Sequence, residues 1–185
     1  MGIKDWFNKD KEPRLDPLAD LTLDRLKQGY LVEYDLKTWE VAAAHRYDWG
    51  GGDLSWEWQL KSGDEVVFLS LERDDQDDWS LYRRLAFSAL GPEVRQAILD
   101  NGDPPSTVTY EGVAYHLSET AGGHFFKNGA GPGQPLLSWF YEDEEGELYL
   151  SLEQWGEEEF EASTGIPVEE YQFTNILPGR PGEGP

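Results

Sequence analysis

Polar and apolar residues alternate along a stretch in the middle of the chain, which predicts a hairpin. From position 54 to 60, Leu and Trp residues alternate with Ser, Glu and Gln. A turn at Ser62-Gly63-Asp64 follows, and Phe68-Leu69-Ser70-Leu71-Glu72 continues the chain on its far side. A period of two is typical of an antiparallel strand with one face buried. We therefore expect two paired strands here, with the Leu and Trp side chains on one face.

A second stretch repeats this hairpin. It consists of Leu137-Ser138-Trp139-Phe140-Tyr141, a turn at Glu145-Gly146, and Tyr149-Leu150-Ser151-Leu152-Glu153. The same distance of 83 positions separates Leu54 from Leu137 and Gly63 from Gly146. Leu69 and Leu150 are 81 positions apart, which a shorter second turn explains. Length differences confined to turns are those that folds tolerate. The spacing predicts two related modules.

Shorter patterns on either side extend this prediction. Residues 30–34 and 39–47 favour strands, the latter with Trp39, Val41, Ala43 and His45 on one face. A helix is indicated at residues 92–100, where a proline follows a glycine. Further strand patterns occupy both halves of the chain.

The predicted fold class is mainly β. We expect two tandem small antiparallel β modules, barrel-like or sheet, with a pseudo-twofold relation and a short helix joining them. The predicted division is a flexible N-terminal segment at 1–16, a first module at 17–90, a helical linker at 91–105, a second module at 106–178 and a disordered tail at 179–185.

The chain also resembles a known family. The residues that carry the likeness are Gly29-Tyr30-Leu31-Val32-Glu33-Tyr34, Trp39-Glu40-Val41, Trp56-Glu57-Trp58-Gln59-Leu60 and Phe68-Leu69. This pattern resembles the bacterial domain-of-unknown-function family 4178, over roughly residues 21–177. Members of this family are found near genes for polyamine synthesis and membrane-stress proteins, so the resemblance implies an accessory role. It implies no functional residue, because the shared motifs are structural.

The net charge of the chain narrows the classes of ligand that the protein is expected to bind. The formal net charge is −22, from 37 acidic and 15 basic residues. Such a surface repels nucleic acid and anionic lipid and attracts cations or basic protein patches. Solubility is the alternative explanation of the acidity. The chain has no Cys, which excludes disulfides and Cys-ligated zinc, and its three His lack a zinc-binding spacing. With no transmembrane stretch, these features favour the cytoplasm.

The aromatic hairpin faces are the candidate ligand surface. Rings beside carboxylates suit an organic cation through cation–π and ionic contacts. Carboxylates near the rings include Glu57 and Glu142, and the rings themselves have a second interpretation as plain core. The candidate ligand-binding residues are Trp56, Trp58, Glu72, Trp139, Tyr141 and Glu153.

The leading hypothesis is an uncharacterised, non-enzymatic acidic binding or adaptor protein. Its partner would be a small organic cation, with polyamines as a candidate, or a basic protein; no cofactor, metal or direct nucleic-acid contact is expected. An acidic DNA mimic that binds a nucleic-acid-binding protein is the alternative. An enzyme would instead need a deep pocket with convergent polar groups and perturbed carboxylates.

Overall fold

The computed structural model describes residues 21–179, in which eleven strands form one sheet with antiparallel neighbours. One α-helix, α1, spans Pro92–Asn101, and a single turn of 3-10 helix at Leu23–Arg25 precedes the first strand. The strands are β1 (Leu31–Tyr34), β2 (Lys37–Gly50), β3 (Asp53–Ser62), β4 (Glu65–Arg73), β5 (Asp77–Leu85), β6 (Thr107–Tyr110), β7 (Val113–Phe126), β8 (Gln134–Glu142), β9 (Tyr149–Gln154), β10 (Phe160–Val168) and β11 (Thr174–Leu177).

Eight of these strands close into a barrel. Their order around it is β2-β3-β4-β5-β10-β9-β8-β7, and β7 pairs with β2 again. The closing pairs are Arg46 with Phe126, Tyr47 with Phe125 and Asp48 with His124. Three short strands lie outside the ring: β1 and β11 extend the sheet beyond β2, and β6 pairs with β7. Closure removes the free edges of the eight central strands.

Bulges in β2 and β7 allow each strand to pair with an outer strand at its start and with the other long strand at its end. The register shifts between Val41 and Ala43 in β2 and between Leu117 and Glu119 in β7. A bulge inserts one extra residue and bends its strand. The first part of each strand therefore pairs with an outer strand, β1 or β6, whereas the last residues of each meet at the closing seam.

The bulge also corrects the predicted face of β2. Trp39 and Val41 are buried in a core, as expected, but the extra residue then exchanges the two faces. After it, Ala44 packs against that core, and His45 pairs with Glu57 on the opposite face. The prediction that Ala43 and His45 share a face with Trp39 is therefore wrong.

Two apolar cores lie on the outer surface of the barrel. The first is covered by the segment containing Leu23 and Leu26 and by Phe173, and it includes Trp58 and Leu60 of β3. The second is covered by α1 through side chains such as Val94, and it includes residues of β8 and β9. The apolar side chains of the strands thus point outward and are buried by outer segments. The inward face of the barrel is not needed for the apolar cores and can carry polar side chains.

The helix that covers the second core has the end signals expected of it. Pro92 occupies the first turn, and Gly102 ends the helix in a left-handed conformation with φ 84°. The Gly102 N–H donates to the carbonyl of Ile98 at 2.8 Å. Glycine adopts this conformation without the steric cost of a Cβ. The helix predicted at 92–100 is confirmed.

The mainly β class is confirmed as well, in the form of one closed barrel with extra strands. The strands of the two predicted modules belong to the same sheet, joined by the pairing of β5 with β10 and of β2 with β7. The predicted N-terminal segment 1–16 lies outside the described residues, as does the tail after Gly179. Across residues 21–179, no helix has the length and apolarity needed to cross a bilayer.

A glycine at the seam provides a test of barrel closure. A Cβ on Gly123 would lie 2.6 Å from the ring of Trp49 and 2.8 Å from the backbone oxygen of Asp48. We expect Gly123→Ala to lower the free energy of unfolding by about 2 kcal/mol, because backbone on the facing strand would have to move. Urea unfolding measures this change.

The adjacent glycine is the matched control for that variant. A Cβ on Gly122 would meet only the Cδ2 of Leu137, at 3.4 Å. Gly122→Ala should therefore change the stability by no more than about 0.5 kcal/mol. Equal losses in the two variants would argue against the tight seam.

Candidate functional site

The barrel encloses a cavity of about 150 Å³. Because successive strand residues point to opposite faces, the positions between the core residues point inward. Each of five strands contributes one serine: Ser55, Ser70, Ser138, Ser151 and Ser163. The other lining residues are Tyr47, Trp49, Asp53, Glu57, Phe68, Glu72, Tyr82, Arg84, Glu119, Ala121, Phe140 and Glu153.

The ionisable groups of the lining are mostly acidic. Five of the lining residues are carboxylates, whereas Arg84 is the one basic residue among them. The Arg84 guanidinium forms an ion pair with Glu161 and lies 3.7 Å from Oε2 of Glu153. It also stacks on Phe68, with 4.9 Å between the guanidinium carbon and the ring centroid. The single positive charge is therefore already engaged by the protein itself.

Glu57 and Glu153 are the enclosed carboxyl groups of the cavity. Burial and the negative charge of Glu153 raise the pKa of Glu57 to about 8, although Arg84 acts in the opposite direction. Burial likewise raises the pKa of Glu153, and Arg84 again opposes the shift. The Tyr47 hydroxyl donates to Oε2 of Glu57 over a long 3.5 Å contact. At neutral pH the Glu57 carboxyl is therefore largely protonated.

A second acidic group lies at the rim of the cavity. Asp53, Glu72 and Glu119 are solvent-exposed, and all three line the opening. Desolvation by surrounding residues raises the pKa of Glu72, and the charges of Glu119, Asp53 and Asp78 add to the shift. A cation that approached the cavity would meet these carboxylates first.

Aromatic rings form the remaining walls. Trp49 and Tyr47 stack with 5.3 Å between their ring centroids, and the Trp49 indole N–H donates to Oγ of Ser55 at 2.9 Å. Tyr82 lies over Gly165, where a Cβ would come within 2.5 Å of the ring. Burial raises the pKa of Tyr82, which keeps its hydroxyl protonated. Rings and hydroxyl groups thus line the cavity together with the carboxylates.

The structure separates the six predicted ligand-binding residues into two sets. Trp58, Trp139 and Tyr141 are buried in the outer cores. Trp56 packs against the first core and has the Arg73 guanidinium 5.3 Å from its ring centroid. In contrast, Glu72 and Glu153 line the cavity.

The buried rings also satisfy their polar atoms within the protein. The indole N–H of Trp58 donates to the carbonyl of Leu26 at 2.9 Å, and that of Trp139 donates to Oδ1 of Asp103 at 3.0 Å. The Tyr141 hydroxyl donates to the carbonyl of Pro105 at 2.8 Å. These bonds tie the barrel strands to the segments that cover them. The rings and the two predicted carboxylates are therefore not brought together.

Four residues central to the cavity are absent from the predicted set: Tyr47, Glu57, Tyr82 and Arg84. One sequence pattern indicated that the face of the sheet on which these residues lie has a role of its own. Each hairpin carries serines at equivalent places on the strand face opposite the apolar residues, such as Ser70 and Ser151. A polar residue repeated on a face that should be solvated is a sign that this face is also packed or lines a cavity.

Histidine and carboxylate side chains do not cluster as a metal site requires. Within the described part of the chain, no group of three or more such side chains could hold a metal ion. His45 accepts a bond from the backbone N–H of Asn128 at 3.1 Å, and His116 lies 3.2 Å from the Thr107 hydroxyl. These two histidines therefore have hydrogen-bond partners within the protein.

Comparisons with known proteins agree with the resemblance seen in the sequence. The family model described as Domain of unknown function (DUF4178) matches residues 27–170. A protein of Aquifex aeolicus (strain VF5), described as an uncharacterized protein, is 32% identical over 176 residues, which cover 95% of this chain and 96% of that protein. A search of solved structures gave no match. With a family match over most of its length and a relative that aligns nearly end to end, the chain belongs to the DUF4178 family.

Proposed function

We propose that the protein binds a small organic cation inside its barrel and does not transform it. The observation that carries this proposal is the composition of the cavity lining, with five acidic side chains against one arginine. That arginine is already paired with Glu161. A cationic ligand would supply the missing positive charge. It would also find rings such as Phe140 against which its apolar part could pack.

The size of the cavity supports a small ligand. Pockets for drug-sized molecules measure roughly 300–1,000 Å³, whereas this cavity has about 150 Å³. A slender amine fits this space better than a folded peptide segment. The polyamine version of the proposal rests on the same chemistry, because each ammonium group of a polyamine needs a carboxylate or a ring as a partner.

A titration with cations of different length tests the proposal. At pH 8 and moderate salt, we expect spermidine or n-butylammonium to give saturable 1:1 heat in calorimetry, and neutral butanol to give none. Glu153→Gln should weaken binding about tenfold, because removing a facing charge costs roughly 1.4 kcal/mol. Glu144→Gln is the matched control, since Glu144 is exposed on the turn between β8 and β9.

Two outcomes would reject cation binding inside the barrel. One is the absence of saturable heat with every cation tested. The other is an equal affinity for wild type and Glu153→Gln, which would place the bound cation elsewhere on this acidic protein.

A catalytic function is the second candidate, because the cavity holds two enclosed carboxyl groups with raised pKa values, Glu57 and Glu153. Convergent polar groups with such shifts are the feature that an enzyme would need. Mass spectrometry of a bound ligand before and after incubation separates the two candidates. A change in ligand mass that Glu57→Gln abolishes would favour catalysis.

We also propose that the two halves of the chain are related modules, which supports the interpretation of the sequence repeat. The first half contains five strands, β1 to β5, and the second half contains β6 to β10 in the same order, followed by β11. The first strand of each half has 4 residues, and the second has 14. Both 14-residue strands carry a bulge near the same place, around Ala42 and Ser118. Most residues of the first core come from the first half and most of the second core from the second half, although Val168 and Phe173 also belong to the first core.

A further inference from the structure

The positions of Glu57 and Glu153 in the barrel have a consequence for ligand binding. Glu57 is on β3 and Glu153 on β9, and these strands are four places apart in either direction around the eight-stranded ring. Both side chains line the cavity. The two carboxyl groups therefore project from opposite walls into the same small, partly buried space, where ionising both places two negative charges close together.

The surrounding charges do not compensate both groups. Arg84 on β5 is near Glu153 but is also paired with Glu161 on β10. His45 on β2 pairs across the strands with Glu57. Burial, helped by the nearby Lys127 and Arg84 charges, lowers the pKa of His45, so its ring is neutral at pH 7.

The other ionisable groups facing the cavity add no positive charge. Tyr47 on β2 and Tyr82 on β5 are neutral, because burial raises the pKa of each hydroxyl. The rim adds the carboxylates Asp53, Glu72 and Glu119 from β3, β4 and β7. Among the lining residues, Arg84 therefore supplies the one positive charge against the carboxyl groups.

We propose that Glu57 and Glu153 hold one proton between them in the empty cavity, and that a cationic ligand displaces this proton when it binds. This inference rests on the cation binding proposed above. In the exchange, an O–H bond of the carboxyl pair breaks, the proton passes to solvent, and the positive charge of the ligand takes its place between the two groups. Binding is then an exchange of one cation for another, and its affinity depends on pH.

The direction of that dependence follows from the two protonation states. A bound cation favours the ionised carboxylate, so it lowers the pKa of the pair. Below about pH 8, where Glu57 holds its proton in the empty cavity, binding must first remove that proton. Affinity should rise by up to about tenfold per pH unit between pH 6 and 8 and then level off.

Calorimetry in two buffers tests the exchange. At pH 7, we expect the binding enthalpy of spermidine to differ between phosphate and a zwitterionic sulfonate buffer by an amount that corresponds to about one released proton. Glu57→Gln should still bind, because Glu153 and the rim carboxylates remain, but it should release no proton and show a flat pH profile.

The outcomes separate this inference from the proposed function. Saturable binding without proton release would overturn the exchange and leave cation binding in place. Carbon NMR of glutamate carboxyl groups tests the held proton without any ligand. One glutamate signal should titrate near pH 8 in the wild type and be missing from Glu57→Gln. If every glutamate carboxyl titrated below about pH 6, the inference would be wrong, whatever the binding data show.

Discussion

Replacing Trp139 with alanine is expected to lower the free energy of unfolding by about 4 kcal/mol, within the range measured for truncating buried aromatic residues. Trp139 is fully buried in the second core on the strand β8. Its removal leaves a large cavity and also deprives Asp103 of the indole N–H that donates to it. Urea unfolding followed by far-ultraviolet circular dichroism measures the loss.

Two further variants make this result interpretable. Leu137 is on the same strand but 43% exposed, so Leu137→Ala should cost less than about 1 kcal/mol. Trp139→Phe keeps most of the apolar volume and should cost about half as much as the alanine variant, which preserves a measurable transition if the alanine variant unfolds. A loss no greater for Trp139→Ala than for Leu137→Ala would contradict the core position of this ring.

Replacing Glu57 with glutamine is expected to stabilise the protein at high pH. The pKa of Glu57 is about 8 in the folded protein, against an ordinary value of 4.5. Between these values the unfolded chain has released the proton while the folded protein keeps it, so unfolding releases a proton. Rising pH therefore favours unfolding, and the stability present below pH 4.5 is lost by about pH 8.

The size of this loss is about 5 kcal/mol, because the folded pKa of about 8 exceeds the ordinary value of 4.5 by about 3.5 and a pKa difference of one corresponds to about 1.4 kcal/mol. Glutamine resembles the protonated acid and has no charge to desolvate, so Glu57→Gln should gain roughly that amount at pH 9 and little at pH 5. Urea titrations at both pH values measure the difference. Glu144→Gln, an exposed control, should follow the wild type, and a parallel pH dependence in all three proteins would contradict the prediction.

The local elements were predictable because they depend on short-range patterns. Period-two alternation located β3 and β4, and Pro92 with its preceding glycine located the start of α1. The two turns at Asp35-Leu36 and Glu111-Gly112 have positive φ at every position. Such turns match the twist of adjacent strands in a hairpin. Pattern and turn chemistry act over a few residues and are visible in one sequence.

Barrel closure was not predictable, because it depends on pairings between distant residues. Arg46 pairs with Phe126 and Leu85 with Ala162, and neither pair has a local sequence signal. The bulge near Ala42 falls in a run of three alanines, which have too little apolar contrast to reveal a change of face. The predicted face of β2 failed at that point for this reason.

Only part of the candidate site was predictable, because the cavity also depends on pairings between distant residues. The sequence singled out Glu72 and Glu153, which line the cavity, together with rings that the structure places in the outer cores. Alternation correctly separates the two faces of β3, but it cannot tell a face that meets solvent from one that encloses a cavity. Glu57 looks like an ordinary surface residue in the sequence and becomes an enclosed acid only when β9 is opposite β3.

The separation of apolar cores from the polar lumen has a consequence for how easily this protein can change. Side chains that hold the strands together point outward, whereas Ser70, Ser138, Ser151 and Ser163 point into the cavity. Substituting these four serines would reshape the lumen without removing any residue of either core. The barrel is therefore a suitable scaffold for engineered pockets, in which ligand preference can be varied position by position while the fold is retained.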